Sequence, residues 1–385
     1  IGSPHYMLMI PYDRAPVKPL ENFPLFKNGS RVLLSSGRHA RGDLAGFTKE
    51  CYDCPENTKR GLWRLLKCKE IELADRQLHL DGALCSPGRY KEIELADKPW
   101  MDELFAASRR ESLEYNFTNS FVWRHVYRLR VARMGDRMLM LSDPESPTFL
   151  FPAGRGPLEP AIERMAEDAL IAKVPLRFHS VLPEDRAWLE AKYPGKFSFE
   201  ACRDAYDYVY ERERLATLHG KKLSAKRNHI NRFLENNPDW RYEPISQANI
   251  EEVRRMNLAW CVEASNRQTS DLGGEYCAVE QSLRHYDALG LSGGLIRAGG
   301  EVVAFSIGDP LNDDTFLVHF EKAFAEIQGA YPMINQQFVL NNCMDYTYVN
   351  REDDTGLEGL RKAKLSYDPH HLVEKYTATL IAEDL

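Results

Sequence analysis

The chain contains 385 residues, of which 43% are hydrophobic and 28% are charged, and its formal net charge is −7. This composition is typical of a soluble globular protein with two or three folding units, and the negative balance means that nucleic-acid binding would require a local basic patch. No apolar run approaches the ~20 residues that span a bilayer, and the first residues lack the charged region and cleavage site of a signal peptide. Together with scattered cysteines, which favour reduced thiols, these features predict a cytoplasmic protein without a transmembrane segment.

Residues 1–90 differ from the rest of the chain because they are rich in Gly, Pro, Arg and Ser and show little periodicity. This pattern predicts a poorly ordered N-terminal extension. The heptapeptide KEIELAD occurs at 69–75 and again at 91–97, which is too short a repeat for a solenoid. A group of cysteines in the extension lacks the pair spacing of the common zinc ribbons, so the sequence predicts no metal site there: Cys51, Cys54, Cys68 and Cys85.

Residues 91–214 form a first unit in which helical and strand patterns alternate. Gly135 and Asp136 mark a tight hairpin between two of its strands. The predicted helices of this unit cover 100–114, 158–171 and 183–192, and its predicted strands cover 129–134, 137–141, 176–179 and 205–210.

Residues 215–385 form a second unit, in which helices come first, followed by antiparallel strands, a helix and a closing strand. This order is typical of an N-acetyltransferase-like unit, so the sequence predicts an α+β fold. The predicted helices cover 221–236, 247–264, 275–289, 330–343 and 356–365, and the predicted strands cover 241–245, 293–297, 301–308, 315–322, 346–350 and 372–380.

Three segments of the second unit carry a family resemblance: GKKLSAKRNHINRF at 220–233, HFEKA followed by GAYPMIN within 319–335, and YVNREDDTGLEGLRKAKLSYDP at 348–369. Over residues 91–382 the chain resembles the stand-alone bacterial relatives of the C-terminal domain of phosphatidylglycerol lysyltransferase, and more distantly the Fem-type peptidyltransferases. The resemblance implies two tandem GNAT-like units with mixed, mostly antiparallel sheets flanked by helices. It also implies aminoacyl-tRNA as co-substrate, no bound cofactor, and a small molecule or lipid head group as acceptor.

The predicted helix over 221–236 is basic and contains no acidic residue before its last turn. Spacing places Lys222, Lys226 and His229 on one face. Such a face can follow a phosphate backbone, although a solvated surface helix has the same pattern. The candidates for donor and phosphate binding on this helix are Lys222, Lys226, Arg227 and Arg232.

The predicted strand over 315–322 contains two ionisable residues, His319 and Glu321, which strand alternation places on one face. Either residue could take a proton from an attacking amine or hydroxyl, so both are candidate catalytic bases. The alternative is a structural ion pair of Glu321 with one of three cations: Lys322, Lys364 or Arg361.

The segment after the strand near residue 350 combines polar side chains, glycines and cations. Glycines allow close backbone approach, and a helix start offers free N–H groups to an anion. A capped loop with surface cations would have a similar sequence. The candidates for substrate binding are Asn350, Arg351, Glu352, Asp353 and Gly356, and those for donor phosphates are Arg361, Lys362 and Lys364.

Most GNAT enzymes use acyl-CoA and hold its pyrophosphate on an Arg/Gln-x-x-Gly-x-Gly/Ala loop. Here Tyr331 stands where the first glycine after Gln328 belongs, so that motif is broken. Tyr331 and Asn335 are instead predicted to contact donor or acceptor. Three functions follow: an aminoacyl-tRNA-dependent aminoacyltransferase, an acyl-CoA-dependent N-acyltransferase acting on a small amine, or a non-catalytic module that binds tRNA or another ligand.

Overall fold

The computed structural model describes residues 89–265 and 272–381. The predicted extension up to residue 88, the first copy of the heptapeptide and the four cysteines considered for zinc lie outside these residues. None of the described helices combines the length and the hydrophobicity that a bilayer crossing requires. Cys202, Cys261 and Cys343 carry free thiols, whereas Cys277 is disulfide-bonded, so the prediction of reduced thiols is wrong at that position.

The described helices are α1 (Lys98–Ser108), α2 (Phe117–Trp123), α3 (Glu159–Ala172), α4 (Pro183–Lys192), α5 (Arg212–Thr217), α6 (Ser224–Asn236), α7 (Ile250–Ser265), α8 (Leu272–Arg284), α9 (Tyr286–Leu289), α10 (Ala330–Asn342) and α11 (Glu358–Leu365). The described strands are β1 (Lys91–Glu92), β2 (Arg130–Met134), β3 (Arg137–Ser142), β4 (Thr148–Gly154), β5 (Arg177–Val181), β6 (Phe197–Ala201), β7 (Asp207–Glu211), β8 (Arg241–Pro244), β9 (Ser292–Ala298), β10 (Glu301–Pro310), β11 (Thr315–Ala323), β12 (Tyr348–Asn350), β13 (His371–Val373) and β14 (Tyr376–Leu380).

Within these ranges the strands form two seven-stranded sheets. The first sheet has the order β1-β2-β3-β4-β5-β14-β6, and the second has the order β13-β7-β12-β11-β10-β9-β8. In the described part of each sheet one neighbouring pair is parallel, β4 with β5 and β11 with β12, and the other pairs are antiparallel. The predicted α+β class with mixed, mostly antiparallel sheets is therefore confirmed.

The two sheets exchange strands. The chain leaves the first sheet after β6 and enters the second as β7, and it returns at the end, where β13 belongs to the second sheet and β14 to the first. The single strand predicted over 372–380 is thus two strands in different sheets. The proposed boundary between residues 214 and 215 does not separate the sheets, because β7 precedes it and β14 follows it.

A buried ion cluster lies where the exchanging segments cross. Lys375, between β13 and β14, has a fully buried side chain, and its Nζ donates to Asp207 Oδ1 at 2.6 Å. It also donates to both carboxylate oxygens of Glu114, at 2.9 and 2.8 Å. A buried ammonium needs such partners, since an isolated charge is costly away from water. The cluster therefore ties both crossing segments to the first half of the chain.

The second sheet lies between two helical layers. One face packs against α7 and α8 around Val253, Val279 and Phe305. The other packs against α6 and α10 around Phe233 and Phe338. Both layers reach β11, so residues of this strand can contact either layer.

Candidate functional site

One extra residue, His319, interrupts the pairing of β11 with β10. Ile307 pairs with Phe320 and Gly308 pairs with Val318, so no residue of β10 faces His319 in the ladder. Such a bulge shifts the alternation of side chains by one position beyond it.

The bulge places His319 and Glu321 on opposite faces of the second sheet. Before the bulge, Val318 packs in the core with α10, and after it Phe320 packs in the core with α7 and α8. Glu321 accordingly contacts Asn335 of α10. The expectation that His319 and Glu321 share one face is wrong, because regular alternation assumes an uninterrupted strand.

Glu321 lies where two parallel strands separate. The pairing of β11 with β12 covers three positions and ends where Leu317 faces Asn350. Beyond this point β11 continues to Ala323, whereas β12 has ended at Asn350 and the backbone that follows it begins a turn at Arg351. The opening between the two strands is the centre of the candidate site.

Both carboxylate oxygens of Glu321 are engaged. Asn335 Nδ2 donates to Oε2 at 2.9 Å, and Arg351 Nη2 donates to Oε1 at 2.8 Å. The partner of Glu321 is therefore Arg351 and none of the three cations considered from the sequence. The side chains of Arg351 and Glu321 are only 10% and 13% exposed, which favours one fixed geometry for the pair.

Two buried polar atoms beside Glu321 lack a hydrogen-bond partner among the described residues. They are Arg351 Nη1, which is a donor, and Asn335 Oδ1, which is an acceptor. Buried polar atoms are nearly always hydrogen-bonded, so such a pair indicates the place of a ligand or water. Because one atom donates and the other accepts, the site suits a ligand that presents an acceptor oxygen next to an N–H or O–H group.

Two cations lie over the ring of Tyr367. Lys226 Nζ is 4.0 Å from the ring centroid, and Arg351 Cζ is 4.7 Å from it. Burial and then the charge of Arg351 lower the pKa of Lys226 to about 8, although the charge of Glu321 opposes this. The basic helix α6 thus contributes a cation to the site itself, as well as to the surface.

Tyr331 extends the site along α10, four residues before Asn335 and on the same side of the helix. Its hydroxyl accepts a hydrogen bond from Trp260 Nε1 at 3.1 Å, and Lys322 Nζ lies 3.6 Å from the Trp260 ring. Burial raises the pKa of Tyr331 to about 12, so its hydroxyl stays protonated at neutral pH. Tyr331 and Trp260 therefore contact each other at the N-terminal end of α10, one turn before Asn335.

His319 has no free ring nitrogen. Nε2 lies 3.0 Å from Asp309 Oδ1, Nδ1 lies 3.0 Å from Glu352 Oε1, and the side chain is only 2% exposed. Burial alone would lower its pKa, but the charge and hydrogen bond of Asp309, together with Glu352, raise the pKa to about 10. A buried imidazolium between two carboxylates cannot accept a proton at neutral pH, so this geometry does not support His319 as the base.

The turn after β12 is organised by its own side chains. Asn350 Nδ2 donates to Glu111 O at 2.9 Å, and Asn350 Oδ1 accepts from the backbone N–H of Glu352 at 2.8 Å. Lys364 Nζ donates to the carbonyl oxygens of Arg351 and Asp353. Asn350 and Lys364 therefore position the turn that carries Arg351, and neither is open to a ligand.

The remaining predicted residues of this turn also have local roles. Asp353 is half-buried and accepts from the Thr355 N–H at 3.2 Å, and burial raises its pKa to about 7. Gly356 has a φ of +75°, and a Cβ there would lie 2.9 Å from Asp204 Oδ2. Glu352 is the partner of His319 described above. The contacts of these three residues are therefore within the protein, and none of them indicates ligand binding.

Two of the cations of α11 that were predicted to bind phosphate, Arg361 and Lys362, form ion pairs with carboxylates of this protein. Arg361 donates to both oxygens of buried Asp354 at 2.8 and 2.7 Å and to Asp204 at 2.6 Å. Lys362 is 74% exposed and pairs with Glu358 at 2.6 Å on the same helix. Arg361 is thus a structural anchor for the turn.

The cations of α6 and of the turn before it differ in their surroundings: some bond the protein itself and others are exposed to solvent. Arg227 Nη1 donates to the backbone oxygens of Leu218 and Gly220, which fixes the helix start. Lys222 is 74% exposed, although its Nζ lies 2.9 Å from Asp368 Oδ1, and Arg232 is exposed. Lys222 and Arg232 therefore remain open to a phosphate backbone, whereas Lys226 faces the site.

The sequence predicted separate roles for five residues that the structure brings close together: Glu321 as a base, Tyr331, Asn335 and Arg351 for substrate binding, and Lys226 for phosphate binding. It missed Tyr367 and Trp260. Tyr367 lies within the segment that carries the family resemblance, so that motif was the available signal. Trp260 looked like a core residue, and helical periodicity alone could not have identified it. In the described ranges no group of three or more His, Cys, Asp or Glu side chains could hold a metal ion.

Residues 105–379 match the family described as phosphatidylglycerol lysyltransferase, C-terminal. A solved conserved protein of unknown function from Bacteroides thetaiotaomicron is 40% identical, with a TM-score of 0.73 over 76% of this chain and 99% of that protein. The C-terminal domain of a protein described as a lysylphosphatidylglycerol synthetase from Agrobacterium fabrum is 14% identical and shares the fold, with a TM-score of 0.54 over 74% of this chain and 92% of that domain.

An uncharacterised protein of Mycoplasmoides gallisepticum is 24% identical over 205 residues, and the match covers 50% of this chain and 61% of that relative's length. The family match spans most of the described residues, and the Bacteroides protein aligns over nearly its whole length. The resemblance expected from the three sequence segments is therefore confirmed, and acyl transfer is the general reaction class that it supports. The chain belongs to the phosphatidylglycerol lysyltransferase C-terminal family.

Proposed function

We propose that this protein transfers an aminoacyl group from aminoacyl-tRNA to an amine or hydroxyl acceptor in the opening between β11 and β12. The observation that carries the proposal is the pair of unpartnered buried atoms beside Glu321, Arg351 Nη1 and Asn335 Oδ1. Acyl transfer needs a donor for the carbonyl oxygen and an acceptor that orients the attacking N–H or O–H. Arg351 Nη1 is such a donor and Asn335 Oδ1 is such an acceptor, and the carboxylate of Glu321 bonds both side chains.

In this scheme Arg351 Nη1 donates to the acyl carbonyl oxygen, on which negative charge develops. Asn335 Oδ1 accepts from the nucleophile and directs its lone pair to the carbonyl carbon. A new C–N or C–O bond forms, the ester C–O bond to the tRNA ribose breaks, and the ribose oxygen takes up a proton. Glu321 orients Arg351 and Asn335, so its expected role is positioning.

The surroundings of α6 support tRNA as the donor. Lys222 and Arg232 are exposed on and beside the helix that also brings Lys226 to the site. Cations along one helix can neutralise successive phosphates of an RNA strand whose acylated end enters the opening. The acceptor in this proposal is a small molecule or a lipid head group, in keeping with the lysyl transfer named in the family description.

The packing at the start of α10 supports a donor other than acyl-CoA. Gly329, at the N-terminal end of this helix, has a φ of +86°, and a Cβ there would collide with the backbone oxygen of His229 in α6. GNAT enzymes that use CoA bind its pyrophosphate at the corresponding turn. Here α6 lies against that turn, and the glycine motif is already interrupted by Tyr331.

The test compares two donors side by side. The purified chain is mixed with total tRNA charged with one labelled amino acid at a time, or with labelled acetyl-CoA, over a salt series and with small-metabolite or polar-lipid extracts as acceptors. We expect salt-dependent binding of tRNA and transfer of label from tRNA into a product. Arg351→Gln should abolish the transfer without abolishing binding.

Other outcomes identify the alternatives. Binding of acetyl-CoA without binding of tRNA would contradict the proposed donor and indicate an N-acyltransferase acting on a small amine. Binding of tRNA without transfer from any charged pool, unaffected by Arg351→Gln, would indicate a non-catalytic binding module.

A further inference from the structure

The candidate site leaves the proton of the attacking group without an obvious acceptor. His319 is enclosed between two carboxylates, and Glu321 uses both of its oxygens for Asn335 and Arg351. Protonation of Glu321 would neutralise the charge that pairs with buried Arg351, which disfavours Glu321 as the base. A proton acceptor on another element of the site is therefore favoured.

We infer that Lys226 is this group: its Nζ takes one proton of the attacking amine, whose other N–H donates to Asn335 Oδ1, and returns it to the leaving ribose oxygen. The inference rests on the proposed function. It assigns a catalytic role to a lysine that the sequence suggested for phosphate binding, and it adds α6 to the elements that perform the chemistry.

The geometry separates Lys226 from the neighbouring lysines. Its Nζ lies 4.0 Å from the centroid of the Tyr367 ring, the residue is half-buried, and this amine forms no hydrogen bond or ion pair with any described residue. Lys222, one turn earlier, pairs with Asp368, and Lys364 donates to two carbonyl oxygens. Lys226 is thus the lysine beside Arg351 and Tyr367 whose amine has no hydrogen-bond or ion-pair partner among the described residues.

The groups around Lys226 favour its neutral form. Arg351, in the turn after β12, approaches the same ring at 4.7 Å, and a second cation disfavours an ammonium. Glu321 on β11 is a carboxylate whose charge acts on Lys226, but it already pairs with Arg351. Tyr367 follows α11, and burial raises its pKa, so its hydroxyl carries no charge at neutral pH. The pKa of Lys226, lowered to about 8 by burial and Arg351, suits a base that works near neutral pH.

The proposed step is balanced. The lone pair of the acceptor attacks the acyl carbon while Lys226 Nζ accepts the acceptor's proton and becomes an ammonium. The carbonyl electrons move to the oxygen held by Arg351 and return as the ester C–O bond breaks. The ribose oxygen leaves with the proton from Lys226, which restores the neutral amine.

Two substitutions of Lys226 distinguish a role in proton transfer from a role that needs only its positive charge. Lys226→Arg keeps a cation but removes a base, because a guanidinium does not lose its proton in this pH range. We expect Lys226→Arg and Lys226→Met each to lower turnover about 10²-fold or more, as for loss of a general base. Lys192→Arg on α4 is the matched control and should leave turnover unchanged. Substantial turnover in Lys226→Arg would overturn the inference and assign Lys226 to charge alone.

A second measurement needs no enzymatic assay. Brief pulses of acetic anhydride at pH 6 to 11, followed by mass spectrometry, report the fraction of neutral amine at each lysine. We expect Lys226 to reach half-maximal labelling at least about one pH unit below exposed Lys362, and Arg351→Met to reduce this difference, since the repulsion between the cations is removed.

The two measurements also separate the inference from the proposed function. Labelling of Lys226 at the same pH as Lys362 would overturn the base assignment even in a protein that transfers acyl groups. Early labelling of Lys226 together with failure of transfer from every donor would contradict the proposed function and, with it, the role of Lys226. Early labelling with transfer that Lys226→Arg abolishes would support both.

Discussion

Arg351 and Glu321 come from two strands that have just separated, and they meet through Nη2 and Oε1 at 2.8 Å with both side chains almost fully buried. The other terminal nitrogen of Arg351, Nη1, is buried and has no hydrogen-bond partner among the described residues. A donor fixed before the reaction begins stabilises a developing oxyanion without the cost of reorganisation. The pair is therefore the best single place to test the proposed chemistry.

Replacing Arg351 with lysine should remove this donor while keeping a positive charge. A lysine cannot reproduce the fork that bonds Glu321 with one nitrogen and a ligand with the other. We expect turnover to fall about 10²–10³-fold, as for loss of one oxyanion donor. Initial rates of aminoacyl transfer measure this, with Arg186→Lys on the exposed side of α4 as the control. Turnover within threefold of the unmodified protein would contradict the assigned role.

The buried His319 should make stability depend on pH. Its pKa is about 10 in the folded protein against an ordinary value of 6.5, so the charged form stabilises the fold. This contribution is complete below pH 6.5 and is lost as the pH rises towards 10. Urea unfolding at pH 6, 8 and 10 should show a steeper loss of stability in the unmodified protein than in His319→Gln.

The same variant should be destabilised at pH 6 by about 3–5 kcal/mol, since removing one partner leaves buried Asp309 and half-buried Glu352 without their cation. A matched substitution is His370→Gln, which changes an exposed histidine near β13 and should preserve the pH dependence. Equal slopes for His319→Gln and the unmodified protein would show that His319 is not charged in the fold.

The strand exchange should depend on Lys375. Lys375→Met removes the buried cation between Asp207 and Glu114, so we expect the free energy of unfolding to fall by about 3–5 kcal/mol. Lys192→Met is the control, because Lys192 pairs with Glu159 at the surface, and such pairs contribute little to stability. Chemical denaturation of both variants checks this. Similar midpoints for the two would mean that the buried cluster does not hold the crossing segments.

The cations predicted for phosphate binding should divide into two classes. Lys222→Gln with Arg232→Gln should weaken tRNA binding and reduce the slope of log affinity against log salt by about 0.7 per lost phosphate contact. Arg361→Gln should instead lower the melting temperature and leave the slope unchanged, since Arg361 bonds Asp354 and Asp204. Binding titrations at four salt concentrations measure the slope. A reduced slope in Arg361→Gln alone would reverse this assignment.

The sequence by itself determined the class of fold, most helix positions and the family. Helix and strand patterns are local, so α4 was predicted at its observed bounds and α10 to within one residue. The three motif segments were sufficient for the family, because they combine particular residues in a particular order. Five residues of the candidate site could also be predicted from the sequence, since they lie in those segments.

Only the tertiary structure decided how these residues are arranged and which partners they have. The bulge at His319 depends on pairing with β10, and it separates His319 from Glu321 in a way that no pattern within β11 indicates. The two strands within 372–380 belong to different sheets, and Lys375 between them bonds Glu114 and Asp207, which are more than 160 residues away in sequence. The environment of Lys226 depends on Arg351 and Tyr367, which are more than a hundred residues away in sequence. Charge, burial and access are set by neighbours in space, and a linear pattern does not contain them.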